Sequence, residues 1–379
     1  MTGRHGGPAL SNLGIVVALV VGAGVFAGGP HAHGGAIEQR AAIAERDPAT
    51  KYVFDPGKPV PTIGGSFSGS AALSPAGAFD QQESTRVFGS TPPYRALKDR
   101  PELFASSNTP WADRFVTVNG LRLHYLDWGG AGKPPLLMLH GIARHAHTFD
   151  HIAADLSRDF HVLALDLRGH GDSGWSPDGA YLVEDYVKDL EDVVGQLGLN
   201  KLTLLGNSTG GRVAQVFAGM HPELVARLVV EDVGPERPED VASGFARRVQ
   251  QETNGWASED ELVAQLVKQN ARTPEPLLRT YARYGLTRRS DGRMVWKRDP
   301  NLVKGFVVTE LWQHVRRITA PTIYILGGAS TIVPAATEQR LKETLPQVEV
   351  VTMPGLGHYP DAEDTAGFMT ILNRFLKRP

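Results

Sequence analysis

From residue 111 onward, short apolar runs alternate with longer amphipathic stretches, whereas the preceding part of the chain lacks this pattern. Apolar runs separated by helical periods are typical of a mostly parallel sheet that helices cover on both faces. Such runs predict eight strands, at 115–118, 121–127, 135–139, 161–165, 202–205, 228–231, 322–326 and 348–351. The predicted fold class is therefore α/β, with an eight-stranded, mostly parallel sheet flanked by helices.

Helical periodicity follows several of these strands and also fills one long interval between them. It predicts helices over 183–197, directly after Ser208, and over 366–376. Residues 234–317 favour helix as well, give no strand signal, and separate the sixth predicted strand from the seventh. We therefore expect a helical cap, inserted after strand six, that covers the functional site.

The N-terminal region has a different character. Arg4 precedes an apolar run at 13–27 that ends in glycine and proline, an arrangement typical of an export signal. The run is shorter than the roughly 20 residues that cross a bilayer as a helix, so a cleaved signal, a membrane anchor and a cytosolic tail stay open for 1–35. We expect an exported protein, secreted or anchored to the membrane. The Pro-, Gly- and Ser-rich residues 36–110 predict a linker, or alternatively a packed arm, before a domain at 111–379.

Composition excludes several classes of function. The 39 basic and 41 acidic residues leave a net charge of −2 without a block of like charge, which argues against a nucleic-acid partner. The chain has no cysteine, so disulfides, thiolate nucleophiles and cysteine-ligated metals are excluded. Nucleic-acid binding and cysteine-dependent chemistry are therefore set aside.

The strongest chemical signal lies at 202–211, LTLLGNSTGG, where a buried strand runs into G-x-S-x-G and then into a predicted helix. This motif places a serine on a sharp turn, and bulk at Gly206 or Gly210 would collide with neighbouring backbone. Ser208 is the predicted nucleophile. The backbone N–H of Thr209, at the start of the helix, is a predicted donor to an oxyanion.

Two further turns complete the predicted site. After the third strand, Gly141 lets backbone approach the reacting carbonyl, so that the N–H of Ile142 is the second predicted oxyanion donor, while His140 supports the loop. After the last strand, the sequence PGLGHYP carries His358 on a glycine-rich loop that can fold back toward Ser208. His358 is the predicted general base.

These residues resemble the α/β-hydrolase superfamily, and specifically its cap-bearing esterase, lactonase and dehalogenase-like branch. The resemblance covers the chain from about residue 115 and includes 166–173, DLRGHGDS, which looks like the loop after the fourth strand in such proteins. It implies hydrolysis of a small carboxylic ester or lactone without a metal or an organic cofactor. Because Ser208 stands where dehalogenases and epoxide hydrolases carry aspartate, their alkyl-ester chemistry is not implied.

The triad acid departs from the usual pattern. In most such hydrolases it follows the strand predicted at 322–326, yet the loop here, GGASTIVP, contains no acid. Asp232 follows the preceding strand, as the acid does in haloalkane dehalogenases, and it is the predicted partner of His358. Glu231, Asp361 and a dyad without an acid stay open as alternatives.

Two other motifs are rejected. The glycines at 169, 171 and 174 fit G-x-G-x-x-G, but WSPDG follows where a phosphate-binding helix should begin. The run of 145–151, HAHTFDH, has one residue too many for a zinc-binding H-x-H-x-D-H. We therefore expect no dinucleotide and no metal. Within the fold class, carbon–carbon bond hydrolysis and a catalytically degenerate ligand-binding protein stay open as alternative functions.

Overall fold

The computed structural model describes residues 111–237 and 239–377, with the side chains of 239–242 excepted. The predicted export signal or anchor at 1–35 and the linker at 36–110 lie outside these residues. Within the described part of the chain, no helix combines the length and the apolar character that a membrane span requires.

In the described part of the chain, most of the predicted strands are a few residues longer than predicted. The strands are β1 (Ala112–Val118), β2 (Leu121–Asp127), β3 (Pro135–Leu139), β4 (His161–Leu165), β5 (Leu202–Asn207), β6 (Val225–Glu231), β7 (Leu286–Arg288), β8 (Met294–Trp296), β9 (Thr322–Gly327) and β10 (Val348–Met353).

Most of the helices lie between strands. They are α1 (Asp150–Leu156), α2 (Val183–Gln196), α3 (Ser208–Met220), α4 (Glu239–Glu252), α5 (Glu259–Gln269), α6 (Glu275–Gly285), α7 (Leu302–Gly305), α8 (Trp312–Val315), α9 (Ala335–Thr344), α10 (Pro360–Glu363) and α11 (Thr365–Leu376). A short 3-10 helix, Ala146–Phe149, precedes α1.

One eight-stranded sheet contains all eight predicted strands, in the order β1-β2-β4-β3-β5-β6-β9-β10. The β1–β2 and β2–β4 pairs are antiparallel, and the other neighbours are parallel. The predicted fold class, a mostly parallel sheet flanked by helices, is confirmed. Because the parallel strands end at one edge, the loops after β3, β5, β6, β9 and β10 come together there.

Both faces of the sheet are buried. Along β3, Leu137 and Leu139 point into one apolar cluster, and Leu136 and Met138 point into another. This alternation follows from the two-residue period of a strand. Helices α2 and α3 supply the first cluster, while α1 and α11 supply the second.

Residues 234–317, which we call the insertion, contain helices α4 to α8, but the prediction that they lack strands is wrong. β7 and β8 pair antiparallel, with Leu286 opposite Trp296. Gly292, at φ 86°, allows the tight turn between them. Each strand has only three residues, too few for apolar alternation to become visible in the sequence.

Two segments of the insertion, one at its start and one directly before α8, lie side by side. The N–H of Arg237 donates to the Thr309 carbonyl at 3.1 Å, and the N–H of Leu311 donates to the Pro235 carbonyl at 3.1 Å. Residues 234–237 and 309–311 therefore form a narrow antiparallel neck that joins the insertion to the sheet.

Candidate active site

Ser208 occupies a strained turn between β5 and α3. Its φ of 50° lies in the left-handed region, which is unfavourable for a residue with a side chain. A Cβ atom at Gly206 would lie 2.4 Å from the Gly210 carbonyl oxygen, and one at Gly210 would lie 2.1 Å from the Leu139 carbonyl oxygen. Only glycine fits at either position, and the turn presents Ser208 at the carboxyl edge of the sheet.

The loop after β3 passes directly beside the serine. A Cβ atom at Gly141 would lie 3.0 Å from the Ser208 Cβ and 2.7 Å from Asn207 Oδ1. Ile142, the next residue, lines the same cleft as Ser208. Thr209 stands in the first turn of α3, where a helix leaves its N–H groups without intrahelical acceptors. Both predicted oxyanion donors therefore belong to backbone next to Ser208.

Both ring nitrogens of His140 form hydrogen bonds that hold this loop in place. The Leu167 N–H donates to His140 Nε2 at 3.0 Å, so the ring proton is on Nδ1, which donates to the Gly141 carbonyl at 2.8 Å. Burial lowers the pKa of His140 below its ordinary value and keeps the ring neutral. These contacts agree with the supporting role predicted for His140 and leave neither nitrogen for proton transfer.

Asp232 and His358 are joined by a hydrogen bond of 2.7 Å between Oδ2 and Nδ1. The loop after β9, which lacks an acid, supplies two donors to the same carboxylate. The N–H of Gly327 donates to Oδ1 at 2.9 Å, and the Ser330 hydroxyl donates to Oδ2 at 2.5 Å. Asp232 is 1% exposed, so these bonds satisfy a buried charge. No sequence motif marks Ser330, so its contact with Asp232 could not be predicted from the sequence.

Glu231 and Asp361, the alternative acids, contact each other rather than His358. The N–H of Asp361 donates to Glu231 Oε1 at 2.9 Å. Burial and the nearby Asp361 carboxyl raise the pKa of Glu231 well above its ordinary value. Asp361 Oδ2 also lies 3.6 Å from His151 Nε2. Glu231 is the last residue of β6, whereas Asp232 lies beyond the strand with a φ of 43°, so the two side chains point in different directions and have different partners.

Ser208 and His358 line one cleft with a volume of about 200 Å³. One part of the wall comes from loops at the carboxyl edge of the sheet and includes Ile142. The other part comes from the insertion and consists of Glu236, Arg237, Gly244, Phe245, Arg248 and Phe306.

The rejected motifs have other structural uses. The three histidines of 145–151 have separate partners, because His145 contacts the Tyr281 carbonyl, His147 contacts Asp150 and His151 contacts the Asp361 carbonyl. A Cβ atom at Gly171 would lie 2.2 Å from the Asp166 carboxylate. That glycine therefore serves the packing of the loop against Asp166.

Among the described residues, His124, Asp166 and Asp172 place three possible metal-ligand atoms within 4.8 Å of one another. Burial lowers the pKa of His124, but hydrogen bonds with Asp113 and Asp166 outweigh burial and raise it to about 9. His124 is therefore a cation at neutral pH. In this state the imidazole forms a buried ion pair with the carboxylates of Asp113 and Asp166.

A family model of the alpha/beta hydrolase fold matches residues 134–364. The chain belongs to this family. It is 29% identical over 323 residues to the mouse sn-1-specific diacylglycerol lipase ABHD11, covering 76% of this chain and 95% of the lipase. It is 26% identical over 270 residues to N-formylmaleamate deformylase of Pseudomonas putida, covering 70% of this chain and 96% of the deformylase.

A solved structure, that of E-2-(acetamidomethylene)succinate hydrolase, superposes with a TM-score of 0.66 at 24% identity. The superposition covers 71% of this chain and 100% of that enzyme and shows a shared fold. With the family match, these relatives identify the chain as a hydrolase.

Proposed function

We propose that this hydrolase cleaves carboxylic esters or lactones through an acyl-enzyme intermediate, with Ser208, His358 and Asp232 as its triad. The observation that carries the proposal is the 2.7 Å hydrogen bond between His358 Nδ1 and Asp232 Oδ2. It fixes the imidazole tautomer so that Nε2, without a proton, is the nitrogen that accepts one from Ser208.

The reaction follows from these roles. Ser208 Oγ attacks the substrate carbonyl and transfers its proton to His358 Nε2, while the N–H groups of Ile142 and Thr209 stabilise the oxyanion. His358 then returns the proton to the departing alkoxide, which leaves an acyl group on Ser208. Water, deprotonated by His358, attacks the acyl-enzyme and releases the acid. No step requires a metal or an organic cofactor.

Esters and lactones are the preferred substrate class because a serine nucleophile suits acyl transfer and because one relative is named as a diacylglycerol lipase. The deformylase among the relatives shows that similarity at this level does not fix the scissile bond. Carbon–carbon bond hydrolysis, which the same triad and fold could perform, stays the alternative activity. The absence of an acid from the loop after β9 is the reason to consider a catalytically degenerate ligand-binding protein. The hydrogen bond between Asp232 and His358 argues against that alternative.

We also propose that the insertion acts as the cap over Ser208. Arg237, Phe245 and Phe306 of the insertion line the cleft opposite the sheet-edge loops. A wall of this kind limits the size of the substrate and removes water from the reacting carbonyl.

The first test is labelling of the full-length protein with a fluorophosphonate, followed by mass spectrometry to locate the label. We expect modification of Ser208, and its loss in Ser208→Ala and His358→Ala. Hydrolysis of an ester and lactone panel with a burst of the first product identifies the acyl-enzyme. A folded protein that neither reacts with the probe nor hydrolyses any ester contradicts the proposal. Cleavage of a diketone-like substrate alone selects carbon–carbon bond hydrolysis.

A further inference from the structure

The wall of the cleft contains two buried arginines that have no acidic partner among the side chains that the structure describes. Arg212 is 1% exposed and Arg237 is 5% exposed, and both line the cleft with Ser208. Arg212 lies four residues after Ser208 on α3, a spacing that puts the two side chains on the same face of the helix. Neither guanidinium forms an ion pair with any carboxylate whose side chain the structure describes.

Arg212 contacts only neutral acceptors. Its Nη1 donates to the Gly234 carbonyl at 3.1 Å, and its Nη2 contacts the carbonyl and the hydroxyl of Thr309. Its buried Nε has no acceptor. A buried donor that is left unsatisfied is costly, and one on a charged group is more so. The contacts of Arg212 therefore hold its position without neutralising its charge.

Arg237 is held in a similar way. Its Nη1 donates to the Val307 carbonyl at 3.1 Å, and its guanidinium lies 3.8 Å from the centre of the Phe306 ring. Stacking on an aromatic ring orients the planar group and keeps its remaining N–H donors available.

The other charged side chains of the cleft wall each have an opposite charge beside them. Glu236 accepts hydrogen bonds from Trp312 Nε1 at 2.6 Å and Thr337 Oγ1 at 2.6 Å, and it pairs with Arg340 at 3.1 Å. Arg248 pairs at 3.2 Å with Glu252, a carboxylate that Arg298 also contacts. Among the described side chains of the wall, Arg212 and Arg237 are therefore the two arginines without a carboxylate partner.

The pKa shifts of the two arginines agree with a site that lacks its anion. Burial, together with repulsion from Arg237, lowers the pKa of Arg212 to about 9, and burial lowers the pKa of Arg237 to about 10. Each shift means that the protein disfavours the cation in the absence of a counter-ion. An anion bound between the two groups would relieve this cost.

We infer that Arg212 and Arg237 form a subsite for a carboxylate group of the substrate, an inference that rests on the proposed hydrolysis at Ser208. Guanidinium groups match the two oxygens of a carboxylate with parallel N–H donors. A cleft of about 200 Å³ accommodates a short molecule. The inferred substrate class is a small ester or lactone that carries a free carboxylate in addition to the scissile carbonyl, such as a monoester of a short dicarboxylic acid.

Matched substrates test this inference kinetically. An aryl monoester of glutaric acid is compared with the aryl ester of pentanoic acid, and a carboxylate on the alcohol is tested by pairing acetylated 4-hydroxybutyrate with butyl acetate. We expect kcat/KM to favour the anionic member of one pair roughly tenfold or more, because hydrogen bonds to a charged group are involved. Arg237→Gln removes this preference, and Arg237→Lys retains part of it. Arg279→Gln, which removes an exposed arginine of the insertion paired with Glu275 and Asp260, leaves it unchanged.

A binding measurement separates the subsite from catalysis. Monomethyl glutarate and dimethyl glutarate are titrated by calorimetry into Ser208→Ala protein, alone and combined with Arg237→Gln or Arg279→Gln. We expect the monoester to bind more tightly than the diester, and only the Arg237 change to abolish the difference. Equal affinities for the two compounds, or a difference that survives Arg237→Gln, overturn the carboxylate subsite even if Ser208 reacts with the fluorophosphonate. If Ser208 is not labelled, the proposed hydrolysis is contradicted. The calorimetric result then decides by itself whether the carboxylate subsite exists.

Discussion

The Ser330 hydroxyl donates a hydrogen bond of 2.5 Å to Asp232, from the loop that lacks the expected acid. The same loop donates the N–H of Gly327 to the other carboxylate oxygen. The loop after β9 thus supplies hydrogen-bond donors at the place where the resemblance led us to expect the acid, and the carboxylate follows β6 instead. Although the acid and the hydrogen-bond donors come from different loops than expected, a buried acid still lies next to His358.

The first prediction concerns substitution of Asp232. Asp232→Asn keeps the shape of the side chain but removes the charge that stabilises the imidazolium, and we expect kcat to fall by up to about 10⁴. Glu231→Gln is the matched control, since Glu231 is the neighbouring acid and contacts Asp361 instead of His358. The ester assay is performed on both variants after circular dichroism confirms folding. Similar, small losses in the two variants would remove Asp232 from the triad.

Ser330 is expected to act as a positioning residue. Ser330→Ala deletes one of the two donors from the β9 loop to Asp232, and a hydrogen bond to a charged group is worth about 1.5–3 kcal/mol. We expect kcat to fall roughly tenfold, with little change in KM. Ser330→Thr retains a hydroxyl and should recover most of the rate. Loss of thermal stability without any loss of kcat would indicate a purely structural role.

The pH dependence of the reaction reports on His358. Burial lowers the pKa of this histidine, but the Tyr359 phenol and the hydrogen bond with Asp232 outweigh burial and raise it above 6.5. Since the neutral imidazole is the base, kcat/KM should rise with pH along an acid limb whose midpoint lies above pH 6.5. The limb is measured over pH 5–9 with a substrate that does not titrate. A midpoint below pH 6.5 contradicts the raised pKa.

Stability should depend on pH through His124. Its pKa is about 9 in the folded protein and about 6.5 in the unfolded chain. The folded state therefore binds the proton more tightly, so this stabilisation is complete below about pH 6.5 and is lost as pH rises through 9. Urea unfolding between pH 6 and pH 10 should show the decline, and His124→Gln should flatten it. An equal slope in the variant assigns the decline to other groups.

The sequence was sufficient for the sheet because each of its strands is an apolar run bounded by turn residues, and the elbow around Ser208 is a contiguous motif. Other features depend on contacts between distant parts of the chain. Ser330 approaches Asp232 only because β6 and β9 are neighbours in the sheet. Likewise, Arg212 and Arg237 become a pair only after the insertion folds back over α3. The catalytic roles of Ser208, His358 and Asp232 stay predictions that the variants above test.

The neck formed by residues 234–237 and 309–311 divides the part of the chain that carries the proposed triad from most of the segment that faces it across the cleft. Ser208, Asp232 and His358 all lie outside the segment that the neck encloses. That segment is nevertheless anchored in the main core, because Phe245 and Phe306 belong to the same apolar cluster as Leu137. Substitutions on its cleft-facing surface can therefore alter the choice of substrate while the residues of the proposed reaction stay the same.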